Sequence, residues 1–107
     1  VANARIKALL NDETFCKRIL SSLEEKKFCE ITSDKRKTEY LAGRFAAKEA
    51  FIKALPKGYS IKHYRDINVL NDDDGAPFIR LDDFPLTINL SISHEEEYTV
   101  AMVVIEE

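Results

Sequence analysis

Apolar residues recur at helical spacing through the first half of the chain and at strand spacing through the second. Ile6, Leu9 and Leu10 give residues 3 to 10 one apolar face, the mark of a short amphipathic helix, and residues 15 to 20 add a further turn or two. Ser22 followed by Glu25 makes a capping box for a helix over about 22 to 30, and Ser21 with Glu24 offers the neighbouring register. A long helix over about 34 to 55 comes next, capped by Ser33 and stopped by Pro56-Lys57-Gly58. On its wheel Leu41, Phe45, Ile52 and Leu55 share a meridian with Lys48, while Glu49 and Lys53 flank that meridian beside Ala42 and Ala46. Lys48 is therefore expected to pack its stem in the core and send its ammonium to the rim.

Beyond Gly58 the period becomes two. Ile67 and Val69 alternate with polar neighbours before the turn-rich "NDDDGAP", and residues 78 to 81 read as the partner strand of a hairpin. "TINLSISH" sets Ile88, Leu90 and Ile92 against Asn89, Ser91 and Ser93, the pattern of a half-buried strand. "YTVAMVVIE" is apolar on both faces, which predicts a central strand covered on both sides. Helices first and strands after give an α+β fold, with N-terminal helices packed on a mostly antiparallel sheet.

Composition narrows this picture. A chain of 107 residues supports one hydrophobic core, so residues 1–107 are expected to form a single domain. With 45% hydrophobic and 33% charged residues it reads as globular. The formal net charge of −3 gives no global attraction to nucleic acid, so an anion site must come from local clusters: Lys35, Arg36 and Lys37, or Lys62, His63 and Arg65. Cys16 and Cys29 have no His or Cys at metal-ligand spacing and are expected to be reduced, partly buried thiols, which suits the cytoplasm. No run of about eighteen apolar residues suggests a membrane span.

The candidate chemistry centres on the long helix. Glu49 and Lys53 alone would be an ordinary surface pair worth a few tenths of a kcal/mol. Arg44 and Lys48 change that, because one carboxylate among three cations on an otherwise small and apolar helix suits a hard metal ion with a polyphosphate beside it. His94 closes its strand at the sheet rim, where it can hold a phosphate; Ser93 next to it points to the other face, so no nucleophilic triad forms. "DDDGAP" lacks the closing Glu of a calcium loop and reads as a hairpin turn, with Gly75 at positive φ and Pro77 at fixed φ. There is no GxxxxGK or GxGxxG.

Three stretches, "YLAGRFAAKEAFIKAL", "DINVLNDDDGAPFI" and "LSISHEEEYTVAMVVIE", together resemble the small bacterial holo-acyl-carrier-protein synthases of the 4′-phosphopantetheinyl transferases. The resemblance implies transfer of the phosphopantetheine arm of coenzyme A to a serine of apo-acyl carrier protein, with Mg²⁺ and with release of adenosine 3′,5′-bisphosphate. It makes Glu49 a metal ligand, Lys53 the contact to the phosphate under attack, Arg44 and His94 the holders of the 3′-phosphate, and Gly75 to Pro77 the turn lining the adenine. Arg36 matches an arginine near the coenzyme A arm. Arg5, Lys17 and Arg18 resemble the docking surface for the carrier protein's acidic helix. The family's homotrimer, with active sites between subunits, would cover the second face of "TVAMVV". The family's second metal ligand is an aspartate in a Gly-x-Asp element, expected just upstream of Val1; a chain without it is expected to bind Mg²⁺ poorly. Two rival classes remain, a non-catalytic coenzyme A or carrier-protein binding module of the same fold and a nucleotide hydrolase that would cleave coenzyme A without an acceptor.

Overall fold

In the computed structural model, which describes residues 1–107, four helices precede four strands. These are α1 (Asn3–Lys7), α2 (Glu13–Ile19), α3 (Ser22–Glu30) and α4 (Asp34–Ala54), then a 3₁₀ turn, η1 (Tyr64–Asp66), and β1 (Asn68–Asn71), β2 (Pro77–Arg80), β3 (Thr87–His94) and β4 (Thr99–Glu106). Local capping sets the helix starts. Asp12 accepts from the Phe15 N–H at 3.0 Å, and Ser33 Oγ accepts from the Arg36 N–H at 3.3 Å. At α3 the Ser21 register prevails: Ser21 Oγ accepts from the Glu24 N–H at 3.3 Å, and Glu24 Oε1 accepts from the Ser21 N–H at 2.8 Å. The first helix is shorter than its apolar pattern suggests, because residues 8 to 11 relax into turns after Lys7.

With 21 residues α4 spans about 31 Å at 1.5 Å per residue, most of the molecule's 38 Å length. Its first half packs with α1, α2 and α3 around Ile6, Ile19, Leu20, Phe28 and Leu41. Its second half, through Ala47 and Phe51, packs under the strands on Ile67, Val69 and Ile79. Two antiparallel hairpins form, β1 with β2 (Val69 opposite Ile79) and β3 with β4 (Ile92 opposite Ala101), and β2 lies beside β3. The α+β architecture is thus the one the sequence predicts, with the strands in two hairpins instead of one continuous ladder.

Three expectations change. Lys48 does not reach the rim: it is wholly buried, and its ammonium donates to Glu24 Oε1 and, at 2.7 Å, to the Ile19 carbonyl. Within residues 1–107 β4 is not a central strand: it pairs with β3 on one side, and on the other Val1 exchanges two backbone hydrogen bonds with Thr99, at 2.7 and 2.9 Å, beside the Ala2–Tyr98 bridge, and the rest of that edge is unpaired. Val100, Met102 and Val104 therefore lie exposed on one face. Of the two free thiols only Cys16 is buried; Cys29 is exposed.

Candidate active site

The C-terminal end of α4 brings Glu49 and Lys53 to a cleft of about 520 Å³ between α1, α4 and β4. Val1, Arg5, Phe45 and Val100 line it too. Glu49 and Lys53 make no ion pair; the chain's one close ion pair is Lys48 with Glu24. Glu49 instead accepts a hydrogen bond from Tyr64, whose phenolic O–H donates to Oε1 at 2.9 Å. Burial, then the hydrogen bond and charge of Glu49, raise the Tyr64 pKa above its ordinary value, which keeps the proton on the phenol. Tyr64 lies in none of the motifs that the sequence singles out. No periodicity signals it, because its partner is on another element.

Arg44, although on the same helix, is turned away from this cleft. Its Nη2 donates to Asn71 Oδ1 at 2.7 Å, and its guanidinium lies 3.9 Å from the centre of the Tyr40 ring. Burial lowers its pKa, against the raising influence of Tyr40 and Glu24, and its buried Nε has no partner. Asn71 also donates through Nδ2 to the Gly75 carbonyl at 2.9 Å, so Arg44 is tied to the β1–β2 turn that carries Gly75 and Pro77. In that turn Asp72 Oδ1 accepts from the N–H groups of Asp74 and Ala76, each at 2.9 Å, and Gly75 takes φ 87°. The acidic run is thus a self-capped turn.

His94 ends β3 at a second depression, of about 960 Å³, with Lys7 and Lys35 on its walls. A relay fixes the ring: Nδ1 lies 3.3 Å from Thr99 Oγ1, Thr99 donates to Asn3 Oδ1 at 2.7 Å, and Asn3 Nδ2 donates to the Glu95 carbonyl at 2.8 Å. Gly43 makes room for it, since a Cβ there would lie 3.2 Å from His94 Cε1. Arg36 is exposed on the first turn of α4, where its neighbour Lys35, and not Arg36, lines this depression. The sequence-derived residues therefore fall into separate groups: Glu49 and Lys53 with Arg5; Arg44 with Asn71 and Gly75; His94 with Lys35. Lys17 and Arg18 join Lys62, His63 and Arg65 around a further depression of about 460 Å³.

Glu49 is the one carboxylate that lines its cleft, and no group of three or more His, Cys, Asp or Glu side chains that could hold a metal ion is present. Mg²⁺ commonly uses one or two carboxylates and completes its shell with water and phosphate oxygens.

Residues 2–103 match the family model for the 4′-phosphopantetheinyl transferase superfamily. The chain belongs to that superfamily. A holo-[acyl-carrier-protein] synthase from Oceanobacillus iheyensis is 45% identical over 104 residues, covering 95% of this chain and 87% of that one. The crystal structure of a holo-(acyl-carrier-protein) synthase from Bacillus anthracis, in complex with CoA (3′,5′-ADP), superposes with a TM-score of 0.85 at 39% identity, covering 98% of this chain and 89% of that one. The Helicobacter pylori synthase in complex with coenzyme A gives 0.80 at 30% identity, covering 99% and 95%. This chain is accordingly an enzyme of the superfamily's small holo-acyl-carrier-protein synthase branch, a phosphopantetheinyl transferase.

Proposed function

We propose that residues 1–107 form one transferase domain that, with Mg²⁺, moves 4′-phosphopantetheine from coenzyme A to a serine of an apo-acyl carrier protein in the cytoplasm and releases adenosine 3′,5′-bisphosphate. The observation that carries this reading is the Glu49 cleft, where one oriented carboxylate faces a free ammonium, that of Lys53. In the reaction the serine Oγ forms a bond to the phosphorus of the pantetheine-side phosphate. The bond from that phosphorus to the bridging oxygen breaks, the electron pair leaves with the adenosine bisphosphate, and the serine proton passes to solvent water. Glu49 would hold the metal, which would supply charge neutralisation at the phosphates. Lys53 holds the phosphate under attack. Such transfers need positioning and charge stabilisation above all.

Arg44 and His94 are assigned to the 3′-phosphate, Gly75 and Pro77 to the adenine, and Arg36 to the arm of coenzyme A. The aspartate that the family carries just before Val1 would enter at the Glu49 cleft, because Val1 lines it. The exposed apolar face of Val100, Met102 and Val104, which reaches the Glu49 cleft at Val100, supports a homotrimer whose sites are completed by neighbouring subunits. Arg5, Lys17 and Arg18 form the carrier-protein docking surface, extended by Lys62, His63 and Arg65. All six are exposed and none is ion-paired, so they can steer an acidic partner. No helix is long and apolar enough to cross a membrane.

The test incubates apo-carrier protein with coenzyme A and Mg²⁺ and follows the protein's mass. A gain of one phosphopantetheine on the serine, abolished by Glu49→Gln, is the expected result. No gain with a chain extended by an N-terminal Gly-x-Asp would overturn the enzyme reading in favour of a binding module. Cleavage of coenzyme A without carrier protein would make it a hydrolase.

A further inference from the structure

Tyr64 belongs to no sequence motif, yet its hydroxyl makes the one hydrogen bond that reaches the Glu49 carboxylate, at 2.9 Å. Its side chain is held from two directions. The ring packs on Phe45, with centroids 6.2 Å apart, and Phe45 lines the Glu49 cleft. The backbone is fixed by η1, where the Ile67 N–H donates to the Tyr64 carbonyl at 3.1 Å and the Asp66 N–H to that of His63 at 3.1 Å. The donor is thus set in place by the loop that leads into β1 together with Phe45 of α4.

We propose that Tyr64 is a positioning residue for Glu49: it occupies Oε1 and turns Oε2 into the cleft, so that the carboxylate offers a divalent cation one oxygen in a fixed direction. The terminal torsion of a glutamate is broad and roughly two-fold, and an unheld carboxylate at this site would rotate through several ligating and non-ligating poses. A neutral phenol removes that freedom without cancelling the negative charge. A lysine in the same place would orient the carboxylate and neutralise it, and Lys53, one turn along, makes no such pair. Partners that orient a ligand in this way are typically worth 10- to 100-fold in metal affinity.

This inference rests on Glu49 being the metal's carboxylate, so the two are tested together. Tyr64→Phe deletes one oxygen and keeps the ring that packs on Phe45. Mn²⁺ binding to the parent, Tyr64→Phe and Glu49→Gln chains, each extended by an N-terminal Gly-x-Asp, is measured by electron paramagnetic resonance in the presence of coenzyme A, alongside the thermal midpoint of each. Tyr64→Phe is expected to weaken Mn²⁺ by about 10- to 100-fold with an unchanged midpoint. If Glu49→Gln loses Mn²⁺ while Tyr64→Phe binds it like the parent, the positioning role is overturned and the metal site stands. If Glu49→Gln also binds like the parent, the metal reading of Glu49 falls, and the role of Tyr64 with it. Should Tyr64→Phe lower the midpoint, Phe45→Leu, which loosens the same packing without touching the hydroxyl, is compared: an equal loss of Mn²⁺ affinity in both variants would make the effect one of packing and overturn the proposal.

Discussion

Removing the Lys48 ammonium would strand a carboxylate that the fold uses three times over. Glu24 accepts from the Ser21 N–H at 2.8 Å, from the Val69 N–H at 2.7 Å and from Lys48, and neither charged side chain is accessible to solvent. Through these bonds Lys48 on α4, the cap of α3, the end of α2 and the start of β1 meet at one point. Burial lowers the Lys48 pKa from the ordinary lysine value, and the opposing charge of Glu24 raises it again. Taking one partner from a buried pair costs about 3–5 kcal/mol, so Lys48→Met is expected to lower the unfolding free energy by that amount. Pairing Lys48→Met with Glu24→Leu should not recover it, because the Ser21 and Val69 N–H groups would then be left without acceptors. Urea denaturation checks both, and a Lys48→Met chain within about 1 kcal/mol of the parent would remove the ion pair from the fold's support. The lysine and glutamate beside each other in "AAKEA" thus face different tasks: Lys48 holds helices together and Glu49 faces the cleft.

Among the elements, those governed by neighbours in sequence were legible beforehand. The Ser33 cap, the α3 capping box, the Asp72 turn and the alternating β3 pattern each rest on contacts within a few residues. What stayed hidden depends on distant partners: Glu24 lies 24 residues from Lys48, Tyr64 lies 15 from Glu49, and Asn71 lies 27 from Arg44. A helical wheel places Lys48 on the apolar stripe but cannot show that a second buried charge waits there. The charge pattern groups Arg44 with Glu49 and Lys53, whereas five residues of helix rotate Arg44 far around the axis from Glu49, toward β1. The β3–β4 hairpin carries its own prediction. Thr99 at the start of β4 and Gly43 on α4 fix the His94 ring at the strand's end, so His94→Ala should disturb the site and not the fold. If the imidazole holds the 3′-phosphate, the variant's KM should rise several-fold more for coenzyme A than for dephospho-coenzyme A, a difference of about 1–2 kcal/mol. Equal rises for the two substrates would take His94 away from that phosphate.

At the scale of the whole molecule, the hydrophobicity of β4 exceeds what one chain uses. Alternate residues pack on α4 and the core, and the others, Val100, Met102 and Val104, remain 57%, 66% and 50% exposed beside a Tyr98 that is 55% exposed. An apolar stripe of this kind marks a contact surface. Its position is informative, because Val100 also lines the Glu49 cleft, so a neighbour seated on the stripe would stand at the cleft's edge. The His94 depression adjoins that cleft through Tyr98 and Thr99, and in the proposed homotrimer it would supply the half that meets the neighbour's Glu49. Closed symmetry can bring the two halves together at each interface of a homotrimer. Val100→Asp combined with Met102→Asp is therefore expected to yield monomers by sedimentation velocity and to abolish transfer while leaving the circular dichroism unchanged. A mixing experiment separates shared sites from self-contained ones. Co-assembled Glu49→Gln and His94→Ala chains contain interfaces in which the Glu49 of one subunit meets the His94 of the next, and these should regain transfer at low coenzyme A. A co-assembled mixture no more active than the sum of its two parents would place each site within a single subunit.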